Sequence, residues 1–84
     1  MIHKTSTSFW AYYENLPLEI RSLADKNFSL LKSDISHPSL QFKKCGTVYS
    51  VRVGSHYRAL ATTIQEGFLW FWIGTHAEYD KLLS

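Results

Sequence analysis

The hydrophobic period of the chain changes about halfway along its length. Between residues 17 and 32, apolar side chains recur at the helical spacing of three or four positions; they are Ile20, Leu23, Ala24, Phe28 and Leu31. Pro17 and Glu19 suit the first turn of this predicted helix, because proline needs no amide partner there and a carboxylate complements the helix dipole. A shorter helix is predicted over residues 9–15, with Ser8 as its N-cap. The two segments together predict a helical hairpin.

The second half of the chain has the period of β-strands. Residues 47–53 alternate between apolar and polar side chains, and a similar segment at 57–64 follows a short turn. Residues 68–73 are apolar at every position, which predicts a central strand covered on both faces. The tight turns between these segments predict antiparallel neighbours.

Three weaker segments complete the predicted fold. They are an edge strand within residues 2–7, a short strand at 40–43 and a last helix at 77–83. The predicted fold class is α+β: a small antiparallel β-sheet with the N-terminal helical hairpin packed on one face. The opposite face of the sheet, which we call the far face, is expected to stay partly open and to carry any functional site.

Length and composition predict a single domain over residues 1–84. Of the 84 residues, 45% are hydrophobic and 15% are aromatic, which suits a dense core and excludes a disordered chain. The longest apolar run, at 68–73, is too short to span a bilayer, and the first residues lack the apolar segment of a signal peptide. The single Cys45 cannot form an internal disulfide. These features predict a protein of the reducing cytoplasm.

Positive charge is concentrated in the middle of the chain. The formal net charge is only +2, but the segment 43–58 contains Lys43, Lys44, Arg52 and Arg58 and no acid. One interpretation is a solvated face of the sheet, and the other is a surface that faces phosphates. Charge alone favours the first interpretation, because a protein that binds nucleic acid regardless of sequence is expected to have a larger positive net charge.

Strand parity places several of these cations together on the far face. If Val51 and Val53 point towards the helices, Ser50 and Arg52 point away from them. Arg58 is assigned to the same side, because a charge that is buried without a partner is costly. His76 follows the end of the last strand and is expected to join them. The residues expected around the rim, in contact with RNA, are Lys43, Lys44 and His56.

This set of side chains suits RNA cleavage without a metal. A 2′-hydroxyl would attack the neighbouring phosphorus, and His76 is suited to the proton transfer near neutral pH. Arg52 and Arg58 suit bidentate contact with the phosphate, while Tyr79 could stack on a base or donate a proton. The four histidines are well separated and there is no Cys-X-X-Cys motif, so we expect no metal and no cofactor.

Each of these residues also has a purely structural interpretation. His76 could begin a helix with one backbone hydrogen bond, and Tyr79 could pack on a nearby tryptophan. Arg52 and Arg58 could form surface ion pairs with acids. From spacing alone, the structural interpretation is the stronger one.

Four segments of the chain match the motifs of a known family. They are LPLEI at 16–20, HPSLQFK at 37–43, YSVRVGSHYRAL at 49–60 and WIGTHAEYD at 72–80. In this order they resemble the RelE/ParE superfamily of toxins from type II toxin–antitoxin systems, and the last segment is similar to the ending of HigB-type members. The resemblance covers nearly the whole chain. It implies a sheet flanked by a helical hairpin, in agreement with the periodicity.

The resemblance also implies a function and a set of partners. It implies a toxin that a cognate antitoxin protein neutralises by wrapping the same surface. Many members are ribosome-dependent mRNA endoribonucleases, and this is the expected activity. Members of the ParE type inhibit DNA gyrase and cut nothing, and an inactive domain that only binds a partner is a third alternative.

The resemblance assigns roles to individual positions of this sequence. Arg58 matches the arginine that binds phosphate in the nucleases, and Arg52 matches a basic residue on the preceding strand. His76 falls where the nucleases place a histidine or arginine, and Tyr79 matches their C-terminal aromatic residue. Ser50 stands where the nuclease prototype has a lysine, so this chain has one cation fewer.

Overall fold

The computed structural model describes the whole chain from Met1 to Ser84 as three helices and five strands. In order they are β1 (Ile2–Thr5), α1 (Thr7–Glu14), α2 (Leu18–Ser33), β2 (Lys43–Cys45), β3 (Val48–Val53), β4 (Tyr57–Ile64), β5 (Gly67–Thr75) and α3 (His76–Leu83). A 3-10 turn at Pro38–Leu40 precedes β2. The predicted α+β fold class, with its helical hairpin, is confirmed.

The five strands form one sheet in the order β1-β5-β4-β3-β2. The strands from β2 to β5 are antiparallel neighbours, as their tight turns predicted. β1 instead pairs in parallel with β5, with Ile2 beside Gly67, so the prediction of an antiparallel sheet is wrong at this edge. The whole helical hairpin follows β1, and a connection of that length permits a parallel pairing that a tight turn does not.

Helix α1 begins two residues earlier than the sequence predicted. Its N-cap is Ser6, whose Oγ accepts a hydrogen bond from the amide of Phe9 at 3.2 Å. The predicted cap, Ser8, lies inside the helix, and its hydroxyl donates to the carbonyl of Phe71 on β5 at 3.1 Å. Both serines are chemically suitable caps. The choice between them depends on where β1 ends against β5, which the local pattern does not contain.

The main core lies between the helical hairpin and one face of the sheet, which we call the hairpin face. It contains 12 buried side chains: Phe9, Leu16, Ala24, Leu31, Leu40, Val51, Val53, Ala59, Ala61, Phe68, Trp70 and Ile73. The predicted orientation of Val51 and Val53 towards the helices is therefore confirmed. Every member of this cluster is apolar, so the hairpin face is held together by the hydrophobic effect.

A β-bulge in β5 distributes its aromatic side chains over both faces of the sheet. On β4, Leu60 pairs with Trp72 and the next residue, Ala61, pairs with Trp70, which leaves Phe71 as the extra residue. Without a bulge, residues two apart would share a face. Because of it, Trp70 joins the hairpin-face core while Trp72 belongs to a separate cluster on the far face.

Helix α3 covers part of the far face. The buried Tyr79 of α3 packs with Leu60 and Trp72 in a small second cluster. The eight-residue helix α3 therefore covers this part of the far face, and the expectation that the face is open is wrong there. None of the helices in the structure has the length and apolar character needed to cross a membrane.

Candidate functional site

Two neighbouring rows of side chains on the far face form the floor of the candidate site. In the first row, Arg52 of β3 pairs with Arg58 of β4, which in turn pairs with Gly74 of β5. In the second row, Ser50 pairs with Leu60. The two arginines are cross-strand neighbours, as strand parity predicted, and like charges in this arrangement repel each other.

Arg58 is buried, although the sequence analysis placed it at an open surface. Its side chain is only 3% exposed. Its Nη2 donates to the hydroxyl of Ser50 at 2.9 Å and to the carbonyl of Gln41 at 3.2 Å. The guanidinium carbon lies 5.1 Å from the centre of the Tyr79 ring, which acts as its cover. The structure thus satisfies part of the guanidinium with neutral acceptors and an aromatic face.

The positive charge of the two arginines is not paired with any acid. The close contacts between basic and acidic side chains join Lys4 to Glu66 and His76 to Asp80, so the alternative of arginine ion pairs is wrong. Arg52 and Arg58 each have a buried Nε without a hydrogen-bond partner. Buried donors and charges are normally satisfied, so the needs of folding do not account for these two arginines.

Tyr79 connects Arg58 to the edge of the sheet. Its hydroxyl lies 3.2 Å from Sγ of Cys45 and 3.5 Å from Oγ of Ser50. Its side chain is 5% exposed, and Nζ of Lys43 lies 5.9 Å from its ring centre, on a different strand from Arg58. Tyr79 therefore packs near Trp72, as the structural alternative held, and its ring also contacts two cations. In this conformation the ring is not free to stack on a base.

His76 is one of the exposed residues of the site. It is the first residue of α3, and its backbone amide donates to the carbonyl of His56 at 2.7 Å. Its Nδ1 lies 3.2 Å from Oδ2 of Asp80, and these side chains are 50% and 64% exposed, respectively. The ring centre lies 5.4 Å from that of Tyr79. Positions 76, 79 and 80 share one side of the helix because residues three and four apart are neighbours.

A capping box fixes the backbone at the start of α3. The hydroxyl of Thr75 accepts from the amide of Glu78 at 3.2 Å, while the Glu78 carboxylate accepts from the amide of Thr75 at 3.0 Å. The hydrogen bond from the Thr75 amide, followed by that from its hydroxyl, lowers the pKa of Glu78. This reciprocal pair anchors the helix that carries His76.

The structure brings only part of the predicted rim to the site. Lys43 lies on the far face opposite Ser50. Lys44 is opposite Tyr49 on the other face of the sheet, with its Nζ 6.0 Å from that ring, so its predicted place at the site is wrong. A shift of one residue along a strand reverses the direction of the side chain. His56 is exposed in the turn between β3 and β4 and reaches α3 through its carbonyl.

Three residues of the site, Asp80, Cys45 and Gln41, were not assigned a place there from the sequence, whereas Ser50 was expected on the far face beside Arg52. The sequence did contain a usable signal for Asp80, because it lies four residues after His76 and would share its side of a helix. No local pattern in the sequence indicated the positions of Cys45 and Gln41, because their contacts depend on how β2 pairs with β3. Gln41 has a left-handed backbone, with φ of 44°. The site has no group of three or more His, Cys, Asp or Glu side chains that could hold a metal.

Comparison with known proteins identifies the family. Residues 19–81 match the model of the ParE-like toxin domain. The chain belongs to this family. The RelE/ParE resemblance is thereby confirmed, and the chain is a toxin of a toxin–antitoxin system. A search of the curated proteins gives no match.

Two solved structures share the fold of this toxin. One is a RelB–RelE antitoxin–toxin complex from Methanococcus jannaschii, with a TM-score of 0.75 and 15% sequence identity over 96% of this chain and 99% of the other. The second is the isolated Escherichia coli RelE toxin, with a TM-score of 0.64 and 11% identity over 96% of this chain and 94% of the other. At these identities the likeness establishes the fold alone.

Proposed function

We propose that this toxin is a metal-independent, ribosome-dependent mRNA endoribonuclease that inhibits translation in the cytoplasm. The observation that carries the proposal is the exposed His76–Asp80 pair beside an arginine pair that lacks an acidic partner. A group able to transfer a proton and groups able to hold an anion are the two requirements of phosphodiester cleavage by a 2′-hydroxyl.

The reaction needs no group beyond the RNA, these side chains and water. The 2′-oxygen forms a bond to the adjacent phosphorus and its proton passes to Nε2 of His76. The bond from phosphorus to the 5′-oxygen breaks, and that oxygen takes a proton from water, which regains a proton from the His76 imidazolium. The products are a 2′,3′-cyclic phosphate and a 5′-hydroxyl. Arg52 and Arg58 stabilise the negative charge that develops on the phosphate oxygens, and Lys43 holds the neighbouring phosphate.

The burial of Arg58 places one condition on this mechanism. Tyr79 lies over the guanidinium, so direct contact between Arg58 and a phosphate requires the ring to move aside. Once displaced, the ring is free to stack on a base of the bound RNA, which is the role proposed for Tyr79. His56 borders the same opening from the β3–β4 turn and is proposed to contact the RNA backbone.

The proposed partners are the ribosome with its mRNA and a cognate antitoxin protein. The antitoxin is supported by the fold shared with a toxin that was solved together with its antitoxin. A selection for open reading frames of the source genome that restore growth to cells expressing this chain would identify it. An antitoxin covering the far face would protect Lys43 and His76 from chemical modification.

A second candidate function is non-catalytic inhibition of DNA gyrase. The observation that favours it is the burial of both Arg58 and Tyr79, because a protein that only binds its target does not need these side chains accessible. The exposed His76–Asp80 pair favours cleavage instead, since binding alone does not require it.

The deciding experiment is 5′-end mapping of cellular mRNA shortly after induction of the chain. Cells expressing the unchanged toxin are compared with cells expressing His76→Ala. The matched control is His37→Ala, which removes a histidine whose side chain caps the 3-10 turn outside the site. Circular dichroism of each purified variant checks that it is folded.

The outcomes separate the candidate functions. New 5′ ends within translated frames that disappear in His76→Ala but persist in His37→Ala support the nuclease. Growth arrest without new ends, together with relaxed plasmid DNA, supports gyrase inhibition. A folded His76→Ala variant that still cuts mRNA removes His76 from the mechanism.

A further inference from the structure

We propose that Asp80 is a positioning residue, which fixes the tautomer and the ring orientation of His76. This inference rests on the proposed function, because it explains how His76 becomes an effective base. Asp80 acts through His76 and does not itself touch the RNA.

The contact between the two side chains determines which ring nitrogen carries the proton. Nδ1 of His76 lies 3.2 Å from Oδ2 of Asp80. An ionised carboxylate only accepts hydrogen bonds, so a neutral imidazole satisfies it with the proton on Nδ1. Nε2 then carries the lone pair and points away from Asp80. A 2′-hydroxyl can give its proton only to a nitrogen that has a lone pair, so the pairing selects the reactive tautomer.

The backbone of α3 makes the pairing geometrically stable. The capping box of Thr75 and Glu78 fixes the first turn, and the His76 amide is held by the carbonyl of His56 at 2.7 Å. Residues four apart on a helix face each other. Asp80 therefore needs no long or flexible reach to contact the ring.

A role for Asp80 in stability explains the contact less well. An exposed pair of this kind contributes little to folding, and both side chains are more than a third exposed. The helix start already has its own carboxylate in Glu78. Asp80 accepts no hydrogen bond from a backbone amide and has no contact with either arginine, so the imidazole is its one polar partner.

The test combines nitrogen NMR with a cleavage assay on programmed ribosomes. Histidine labelled with 15N reports the tautomer of His76, assigned by comparison with His76→Gln. The variants are Asp80→Asn, which keeps the shape but removes the carboxylate charge, and Asp80→Glu, which retains a carboxylate. The control is Asp34→Asn, which changes the net charge equally outside the site.

The expected result is a linked change in tautomer and rate. In the unchanged toxin His76 carries its proton on Nδ1; in Asp80→Asn the second tautomer becomes populated and the maximal cleavage rate falls by about 10- to 100-fold. Loss of the base itself costs more, about 100- to 10,000-fold. KM changes little, because Asp80 does not contact RNA. Asp80→Glu recovers part of the rate, and Asp34→Asn behaves like the unchanged toxin.

The results distinguish a failure of the positioning role from a failure of the proposed nuclease function. If the unchanged toxin cuts mRNA but Asp80→Asn leaves the His76 tautomer or the rate as it was, the positioning role is wrong and the nuclease stands. If the unchanged toxin cuts no mRNA on ribosomes, the proposed function fails and the positioning role fails with it.

Discussion

The two faces of the sheet differ in what fills them. On the hairpin face, the buried cluster consists of 12 apolar side chains. On the far face, the cluster of Leu60, Trp72 and Tyr79 is small, and the two buried polar residues of the chain, Ser50 and Arg58, lie beside it. Burying a guanidinium costs free energy that burying a leucine does not. The comparison indicates that the apolar packing of the hairpin face stabilises the fold, whereas the buried charge on the far face lowers stability.

The largest expected effect is on the hairpin face. Trp70 is 2% exposed, and Trp70→Ala is expected to lower the free energy of unfolding by about 3–5 kcal/mol, because a large aromatic side chain leaves a cavity. Urea denaturation measures this. The comparison is Trp10→Ala, since Trp10 is 46% exposed and its loss is expected to cost less than that of Trp70, although its ring contacts Phe9 and Tyr13. If Trp70→Ala does not fold, Trp70→Phe gives the smaller loss. Equal losses for Trp70→Ala and Trp10→Ala would contradict the assignment of the core.

The next effect concerns the tight packing of the far face. A Cβ added at Gly74 would lie 2.5 Å from Cζ2 of Trp72. Gly74→Ala is therefore expected to lower the free energy of unfolding by about 1–3 kcal/mol through overpacking. The clash should disappear when Trp72 is also changed to Leu. A double-mutant cycle that shows no coupling between the two positions would exclude this explanation.

A smaller change in stability is expected at Arg58. Arg58→Met removes a buried charge that has no acidic partner while keeping apolar volume, but it also leaves the Ser50 hydroxyl and the Gln41 carbonyl without their donor. Because the two effects oppose each other, the free energy of unfolding should change by no more than about 1 kcal/mol in either direction. Growth arrest on induction should nevertheless be lost. Arg21→Met serves as the control, because Arg21 lies outside the site, its side chain donates a hydrogen bond to the carbonyl of Leu16, and its loss should leave growth arrest intact. A large loss of stability in Arg58→Met would show that this arginine holds the fold together.

The smallest effect is a pH dependence that arises on the hairpin face. Burial, and then the positive charges of the N-terminus and Lys32, lower the pKa of His3 below its ordinary value of 6.5. The unfolded chain thus binds this proton more readily, so the stability due to His3 is complete above that value and declines as the pH falls towards the folded pKa. Protonation would also compete with the hydrogen bond that Trp70 Nε1 donates to His3 Nδ1 at 3.1 Å.

Urea midpoints measured from about pH 8 to about pH 5 test this dependence. His3→Gln should flatten the decline on the acid side, whereas His37→Gln should not. An unchanged slope in His3→Gln would assign the pH dependence to another group.

The site residues divide according to how far apart in the chain their partners lie. The pairing of Arg52 with Arg58 was predictable, because a short turn joins β3 to β4 and alternation fixes which side each residue faces. The His76–Asp80 contact could also have been found, since it depends only on helical spacing. The position of Tyr79 over Arg58 could not, because the two residues come from different elements whose packing no local pattern records.

The sequence by itself determined the helical hairpin, the three antiparallel strands after it and the family, since each rests on short-range periodicity or contiguous motifs. Only the tertiary structure decided the parallel pairing of β1, the bulge at Phe71 and the burial of Arg58. The tertiary structure also decided on which side of the sheet Lys44 lies. These features follow from pairings between distant segments, where a shift of one residue reverses every side chain. Such pairings are selected by the packing of the whole domain, because periodicity within one segment carries no record of its partner.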